Sequence, residues 1–256
     1  MNRAQLARWL TRIRPMELAE LLKKLLGIGY GEFEVGGRTW YLDPASDFGS
    51  RLLAEKSYEA DATEALLSLL RPGDVFLDIG ANEGWYSVRA AERVGEAGQV
   101  IPIEPQARLW PVIIRNFQLN RLHNYRLVPY AVGASEGFLE IHVYPSINSG
   151  ASSLVSQART RAMPRQKAGI LPLARIAQLH GISRARLAKI DVEGFELEVL
   201  KSAGDLLGRI ENIYVELHPE QLRALGQSPA DVERLLEEKG YRKRQLSGID
   251  LWTVQC

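Results

Sequence analysis

Acidic residues stand at four points where a short apolar run stops, and what surrounds each one suggests a different task. The run Val75-Phe76-Leu77-Asp78-Ile79-Gly80-Ala81-Asn82-Glu83-Gly84 is an apolar stretch carrying an acid, followed by a turn with two glycines. A buried parallel strand that ends in such a turn before a helix opens onto a ligand crevice. Gly80 can take backbone angles that other residues avoid, and Gly84 would let the start of the helix approach a bound molecule with no side chain between them. Three residues separate the glycines, with Asn82 in the middle, so the G-x-G-x-x-G spacing of a dinucleotide site is absent. A carboxylate here suits an uncharged or cationic ligand better than a pyrophosphate, which wants close-packed amides. About twenty residues on, Gln99–Ile103 finishes in Glu104-Pro105. A carboxylate at that tip can accept hydrogen bonds from both hydroxyls of a ribose.

The third point is Lys189-Ile190-Asp191-Val192-Glu193-Gly194. A buried strand over Leu187–Ile190 would release Asp191 and Glu193 at its C-terminal end, where open α/β sheets place their chemistry. Such a pair can orient a charged ligand, accept a proton, or share both tasks; one structural acid capping the next helix is the plainer alternative. The fourth is Ile213–Leu217, tipped by Glu216 and His218, which two-residue spacing would put on one face. His218 is a candidate base because its ordinary pKa lies near neutrality, although a lone histidine is more often structural. With Asp191 and Glu193 these groups could also ligate a divalent ion. No stretch has dedicated metal-ligand spacing, so no metal is assigned.

These tips require an α/β sheet to carry them. The periodicities predict a hairpin over Phe33–Leu42 turned by Gly36-Gly37, a helix from Ala60 to Leu70 stopped by Pro72-Gly73, and a helix over Ala107–Asn120 with Pro111 in its first turn. A strand is expected over Tyr125–Pro129 and an added one over Gly137–Tyr144. The small residues Ala131-Val132-Gly133 leave room for a flat ring, so Ala131 and Val132 are expected near a nucleobase. Pro145–Gln166 has little periodicity and reads as a long irregular loop over a second substrate. A helix follows from Phe195 to Ser202, another runs from Ser228-Pro229 to Gly240, and Tyr241–Val254 forms a hairpin around Ser247-Gly248 that closes the sheet antiparallel.

A chain of 256 residues can bury a substantial core, and a net charge of +1 gives no sign of the basic field that nucleic-acid binding requires. The lone Cys256 excludes an internal disulfide and a thiolate metal cluster. No apolar run is long enough to span a bilayer, and no secretory signal is visible at the N-terminus, so a reducing cytoplasmic setting is expected. Met1–Leu26 reads as an amphipathic basic helix pair hinged near Pro15, for peripheral contact with an anionic membrane face, for packing over the rest of the chain, or for a homo-oligomer seam. Residues 1–60 are therefore read as a helical and hairpin extension and 61–256 as the catalytic domain.

The acid-x-Gly-x-x-x-Gly pattern at Asp78–Gly84 resembles motif I of class I methyltransferases. Together, Pro72–Ser87, Glu104-Pro105, Ala131-Val132-Gly133 and Lys189–Gly194 with Glu196 and Val199-Leu200 closely resemble the FkbM family of methyltransferases in order and spacing. Tyr58-Glu59, Ser149–Leu154 and Val215–Pro219 are similar to that family's pattern as well. Glu83 departs from it, since members often carry a small or apolar residue there. The resemblance covers about Phe33 to Pro219 and implies a Rossmann-like, mostly parallel sheet with helices on both faces. It further implies S-adenosylmethionine as cofactor, held by Glu59, Asp78, Gly80, Ala81, Asn82, Gly84, Glu104, Pro105, Ala131, Val132 and Asp191. The reaction it implies is O-methylation of a sugar, glycan or secondary metabolite, with Asp191, Glu193 and His218 as the catalytic candidates. A nicotinamide-dependent oxidoreductase and a catalytically silent nucleoside-binding module are the alternatives.

Overall fold

Apolar runs become strands here wherever both faces find cover. The computed structural model describes residue 13, residues 16–143 and residues 164–254. Most of the expected N-terminal helix pair and of the irregular loop, with the end of the strand expected to reach Tyr144, lie outside the described residues. The described chain opens with α1 (Met16–Leu25), whose Lys23 pairs with buried Asp43. The hairpin of β1 (Gly31–Val35) and β2 (Arg38–Leu42) turns at Gly36-Gly37, both at positive φ as the turn demands. Next come α2 (Asp47–Glu55), capped by the Ser46 hydroxyl accepting the Gly49 N–H, and α3 (Ala60–Ser68).

The central sheet starts with β3 (Val75–Ile79), α4 (Trp85–Val94), β4 (Gln99–Ile103) and α5 (Trp110–Leu119). The helix expected from Ala107 begins as a 3-10 turn and becomes α-helical only at Trp110, with Pro111 in its first turn. The stretch 125–129 is not a continuous strand. Tyr125 and Val128 bridge to Val100 and Ile103, while Pro102, which has no N–H to donate, interrupts the ladder between them.

A second sheet of three strands comprises β5 (Ala131–Val132), β6 (Gly137–His142) and β7 (Arg165–Leu171), with β7 in the middle. Neither β7 nor α6 (Leu173–His180) was expected. The chain then alternates through β8 (Ala185–Ile190), α7 (Glu196–Ser202), β9 (Ile210–Val215), α8 (Pro219–Ala224) and α9 (Pro229–Glu238). It ends in the hairpin β10 (Tyr241–Leu246) and β11 (Ile249–Val254).

The large sheet runs β10-β11-β9-β8-β3-β4, parallel from β9 to β4, with β11 antiparallel to β9. Consecutive strand residues serve opposite cores. Phe76, Val100 and Leu187 join one buried cluster, while Leu77, Ile101 and Ala188 join the other. The first cluster also takes in Trp40, Leu42, Phe48 and Leu52, so the N-terminal hairpin and α2 share a core with the sheet. The strand order changes direction at β3, flanked by β4 and β8. Ligands of open α/β sheets sit at the C-terminal strand ends beside such a point.

Candidate active site

The tip of β3 is stitched to both neighbours. The N–H groups of Gly80 and Ala81 donate to the Ile103 carbonyl at 2.9 and 3.1 Å, and the Asp191 N–H donates to the Ile79 carbonyl at 3.0 Å. Gly80 has φ +86°, and a Cβ there would lie 1.8 Å from the Asp191 carbonyl oxygen, so only glycine lets the two tips approach this closely. Gly84 also has φ +86°, but its bare side meets Ile113 of α5 at 3.5 Å. The expectation that Gly84 faces a ligand is thus corrected: it lines neither pocket at these tips, a Cβ would make only an ordinary contact with α5, and it is the positive φ that calls for glycine. The turn is held from the outside by buried Asn116, whose amide donates to the Glu83 carbonyl at 2.9 Å and accepts the Tyr41 N–H at 2.6 Å.

These tips border a cavity of about 290 Å³, near the lower limit of small-molecule sites. Gly80, Asn82, Glu104, Pro105, Asp191 and Glu193 line it from the strand ends, Ala131 and Val132 form a wall from β5, and Glu59 enters from the start of α3. Glu104 is 3% exposed. Its two carboxylate oxygens accept the N–H groups of Asn82 and Gln106, each at 2.9 Å. Burial pushes its pKa up to about 7 against the opposing pull of those two N–H groups.

Asp78 and Ala81 do not line this cavity. They border a side pocket of about 40 Å³ that also touches Glu59, Gly80, Asn82 and Asp191. Asp78 is 1% exposed; its Oδ2 accepts the Ser87 hydroxyl at 2.5 Å, and its Oδ1 has no hydrogen-bond partner. Burial raises the Asp78 pKa, with the Lys189 charge as the largest opposing influence. Lys189 in turn donates to Asp191 Oδ2 at 2.9 Å and lies over the Tyr86 ring. Burial would lower its pKa, but Asp191 and Asp78 hold it above the ordinary range.

The strand expected to run to Leu217 ends at Val215, so Glu216 lies beyond it, and His218 sits at the N-cap of α8. Glu216 still lines the cavity. His218 lies behind the rim: Nδ1 is 2.8 Å from Glu196 Oε1, and Nε2 is 3.8 Å from Asp191 Oδ1 and 3.7 Å from Glu193 Oε2. Burial works to lower the His218 pKa, but the Glu196 hydrogen bond and the charges of Glu193 and Asp191 raise it to about 9. These neighbours favour the protonated ring, which makes proton acceptance by His218 harder than the sequence expectation of a base supposes. Burial also pushes Glu193 up, to about 7, with His218 restraining it. Asp191, Glu193 and His218 each bring a potential ligand atom within 4.8 Å of the others. The same geometry sets the His218 ring among carboxylates.

Several lining residues escaped the sequence reading. Gln106 follows Glu104-Pro105 directly, Tyr130 precedes Ala131, and Arg51 lines the cavity together with the Tyr58-Glu59 pair already noted in the sequence. Glu196 and Lys189 stood inside a recognised motif, yet periodicity says only that they are near the strand tip.

The chain is similar in sequence to known proteins. A family model described as the methyltransferase FkbM domain matches residues 78–243. Methyltransferase sdnD of Sordaria araneosa is 27% identical over 201 residues, which cover 66% of this chain and 74% of that protein. Hexuronic acid methyltransferase AglP of Haloferax volcanii is 26% identical over 181 residues, covering 70% of this chain and 68% of its own. Among solved structures, Trm5b from Pyrococcus abyssi aligns at 14% identity with a TM-score of 0.47, over 89% of this chain and 57% of that one.

Proposed function

The chain belongs to the FkbM methyltransferase family and is an S-adenosylmethionine-dependent enzyme, and from that premise we propose that it methylates a hydroxyl of a sugar, glycolipid, polysaccharide or secondary metabolite. Family membership displaces the nicotinamide oxidoreductase and silent-module alternatives. When bound, the donor supplies an electrophilic methyl carbon on a sulfur that leaves with the bonding electron pair. The residues present fit such a ligand. Asp78 Oδ1 and Asn82 Oδ1 are buried acceptors with no partner, as an ammonium group would require. The main cavity is lined by Asp47, Glu59, Glu104, Asp191, Glu193 and Glu216 against Arg51 as the one basic lining residue among those described, which favours a cationic molecule. In this reading Glu104 takes the ribose hydroxyls on the lone pairs its two N–H partners leave open, and Ala131 and Val132 lie against the adenine. Gly80, Asn82 and Pro105 shape the wall between them, and Glu59 and Asp191 face the charged end.

Glu193 is the proposed proton acceptor. Methyl transfer depends chiefly on positioning, but a hydroxyl must also lose its proton as it attacks, whereas a neutral amine attacks without such help. The single observation that carries the hydroxyl assignment is the position of Glu193, a carboxylate on the cavity wall just after β8 that can meet a hydroxyl proton, and burial raises its pKa toward neutrality. The hydroxyl proton passes to a Glu193 oxygen as the new carbon–oxygen bond forms, and then to solvent. Similarity to a protein named for hexuronic acid supports a sugar acceptor, and the net charge of +1 supports a small molecule or glycan over nucleic acid. The test is transfer of labelled methyl to a panel of glycans and metabolites, followed by mild alkali. A stable methyl ether is expected; label recovered only as methanol or on nitrogen would end the hydroxyl assignment.

No described helix is long and apolar enough to cross a membrane. α1 exposes Leu18, Leu21 and Leu25 beside Lys24, which supports peripheral contact with a cytoplasmic anionic membrane face where a lipid-linked acceptor would reside. Failure to co-sediment with anionic vesicles would leave packing or a homo-oligomer seam as the use of that helix.

A further inference from the structure

We propose that Glu196, the first residue of α7, is a positioning residue for methyl transfer that fixes the His218 ring with Nε2 turned toward the carboxylates of Asp191 and Glu193. The inference rests on the reading of Glu193 as proton acceptor and adds the device that keeps it ionised. Glu196 is 0% exposed, so no solvent offsets its charge. Its Oε1 accepts the Gly194 N–H at 2.9 Å and lies 2.8 Å from His218 Nδ1, which ties the ring to the same turn that presents Glu193.

With Nδ1 committed, the ring has one orientation left. Nε2 then stands 3.8 Å from Asp191 Oδ1 and 3.7 Å from Glu193 Oε2, too far for a hydrogen bond and close enough for strong charge attraction. Each of the two carboxylates is steadied by another residue as well. Lys189 holds Asp191 Oδ2, and the Gln221 amide donates to Glu193 Oε2 at 3.0 Å. The groups facing His218 are therefore Asp191 and Glu193 after β8, Glu196 on α7 and Glu216 after β9.

Two neighbouring carboxylates resist ionising together, and Asp191 does raise the Glu193 pKa. A cation between them relieves that repulsion. His218 supplies it as a fixed imidazolium, and Glu196 keeps the imidazolium charged and aimed. If the ring turned away or lost its proton, Glu193 would hold its own proton to higher pH and stop serving as a base near neutrality.

The test uses the full chain carrying 15N-labelled histidine, with Glu196→Gln and His218→Gln variants. In the unaltered protein both His218 ring nitrogens should be protonated at neutral pH, with a midpoint near 9. Glu196→Gln should lower that midpoint by about one pH unit or more, tenfold in proton affinity. It should also move the rise of kcat with pH upward from about 7 while leaving donor affinity by calorimetry unchanged. His218→Gln should shift the same rise upward and keep most of the turnover at high pH. An unmoved His218 midpoint in folded Glu196→Gln overturns the proposal, as does loss of turnover by His218→Gln at every pH, which would make the ring the base. Should Glu196→Gln fail to fold, the His218→Gln profile still decides. The resonance titration reads without any acceptor, so failure of the hydroxyl assignment would be seen separately.

Discussion

Replacing Glu104 by glutamine changes a single atom, yet its surroundings make the substitution far from conservative. Each carboxylate oxygen already accepts one backbone N–H, from Asn82 and from Gln106, both at 2.9 Å. An amide has one oxygen, so its NH2 must confront one of those donors in a buried site. That orphaned contact costs about 1–3 kcal/mol of folding stability. The loss in donor binding is separate. A hydrogen bond to a charged acceptor is worth about 1.5–3 kcal/mol, which at ~1.4 kcal/mol per factor of ten weakens Kd by roughly 10- to 150-fold. Calorimetric titration with S-adenosylmethionine at pH 8, where most Glu104 is ionised, measures this directly. A donor analogue lacking both ribose hydroxyls should bind the unaltered enzyme weakly and be almost indifferent to Glu104→Gln. If the variant melts as a folded protein and binds S-adenosylmethionine within threefold of the parent, Glu104 does not hold the sugar.

Gly80→Ala should destabilise the fold by at least ~3 kcal/mol, because it combines a left-handed backbone with a clash against the Asp191 carbonyl; a melting temperature within two degrees of the parent would contradict the packing described. Glu193→Gln should lower kcat by about a hundredfold or more with donor Kd unchanged, within the usual range of a general base; equal losses in both would make it a binding residue. Stability of the free enzyme should fall as pH rises from about 4.5 to about 9. Glu104 and Glu193 have folded pKa values of about 7, above their ordinary 4.5, so the stability conferred by protonation fades between those values. His218, raised from 6.5 to about 9, contributes stability that is complete below 6.5 and lost as pH passes 9. Denaturant midpoints that rise steadily from pH 5 to 9.5 would refute the sum.

Much of the cavity's strand-end wall is legible in the sequence, because strand ends are marked by apolar runs that stop at glycine or acid. Asp78, Gly80, Glu104 and Asp191 were placed at tips by that logic, and the tips do converge. Gly84 shows the limit: a glycine needed for positive φ looks the same in sequence whether its bare side faces a ligand or, as here, Ile113. His218 shows another. Its charge state depends on Glu196, twenty-two positions earlier, and on carboxylates from a different strand end, none of which periodicity can bring together. β7 went unseen because its alternation is weak and charged residues open it, so its pairing with β6 and β5 is a tertiary choice.

The matched family region begins at Asp78, but the turn that follows it leans on residues well upstream. Asn116 grips the Glu83 carbonyl with one end and the Tyr41 amide with the other, and Asn120 reaches the Thr39 carbonyl. A trimmed enzyme starting near residue 61 would leave Asn116 reaching into solvent where its anchor had been, and the turn after β3, proposed to cradle the donor, would lose its brace. Sequence drift in the N-terminal hairpin therefore has a direct mechanical route to the shape of the turn after β3, through one asparagine.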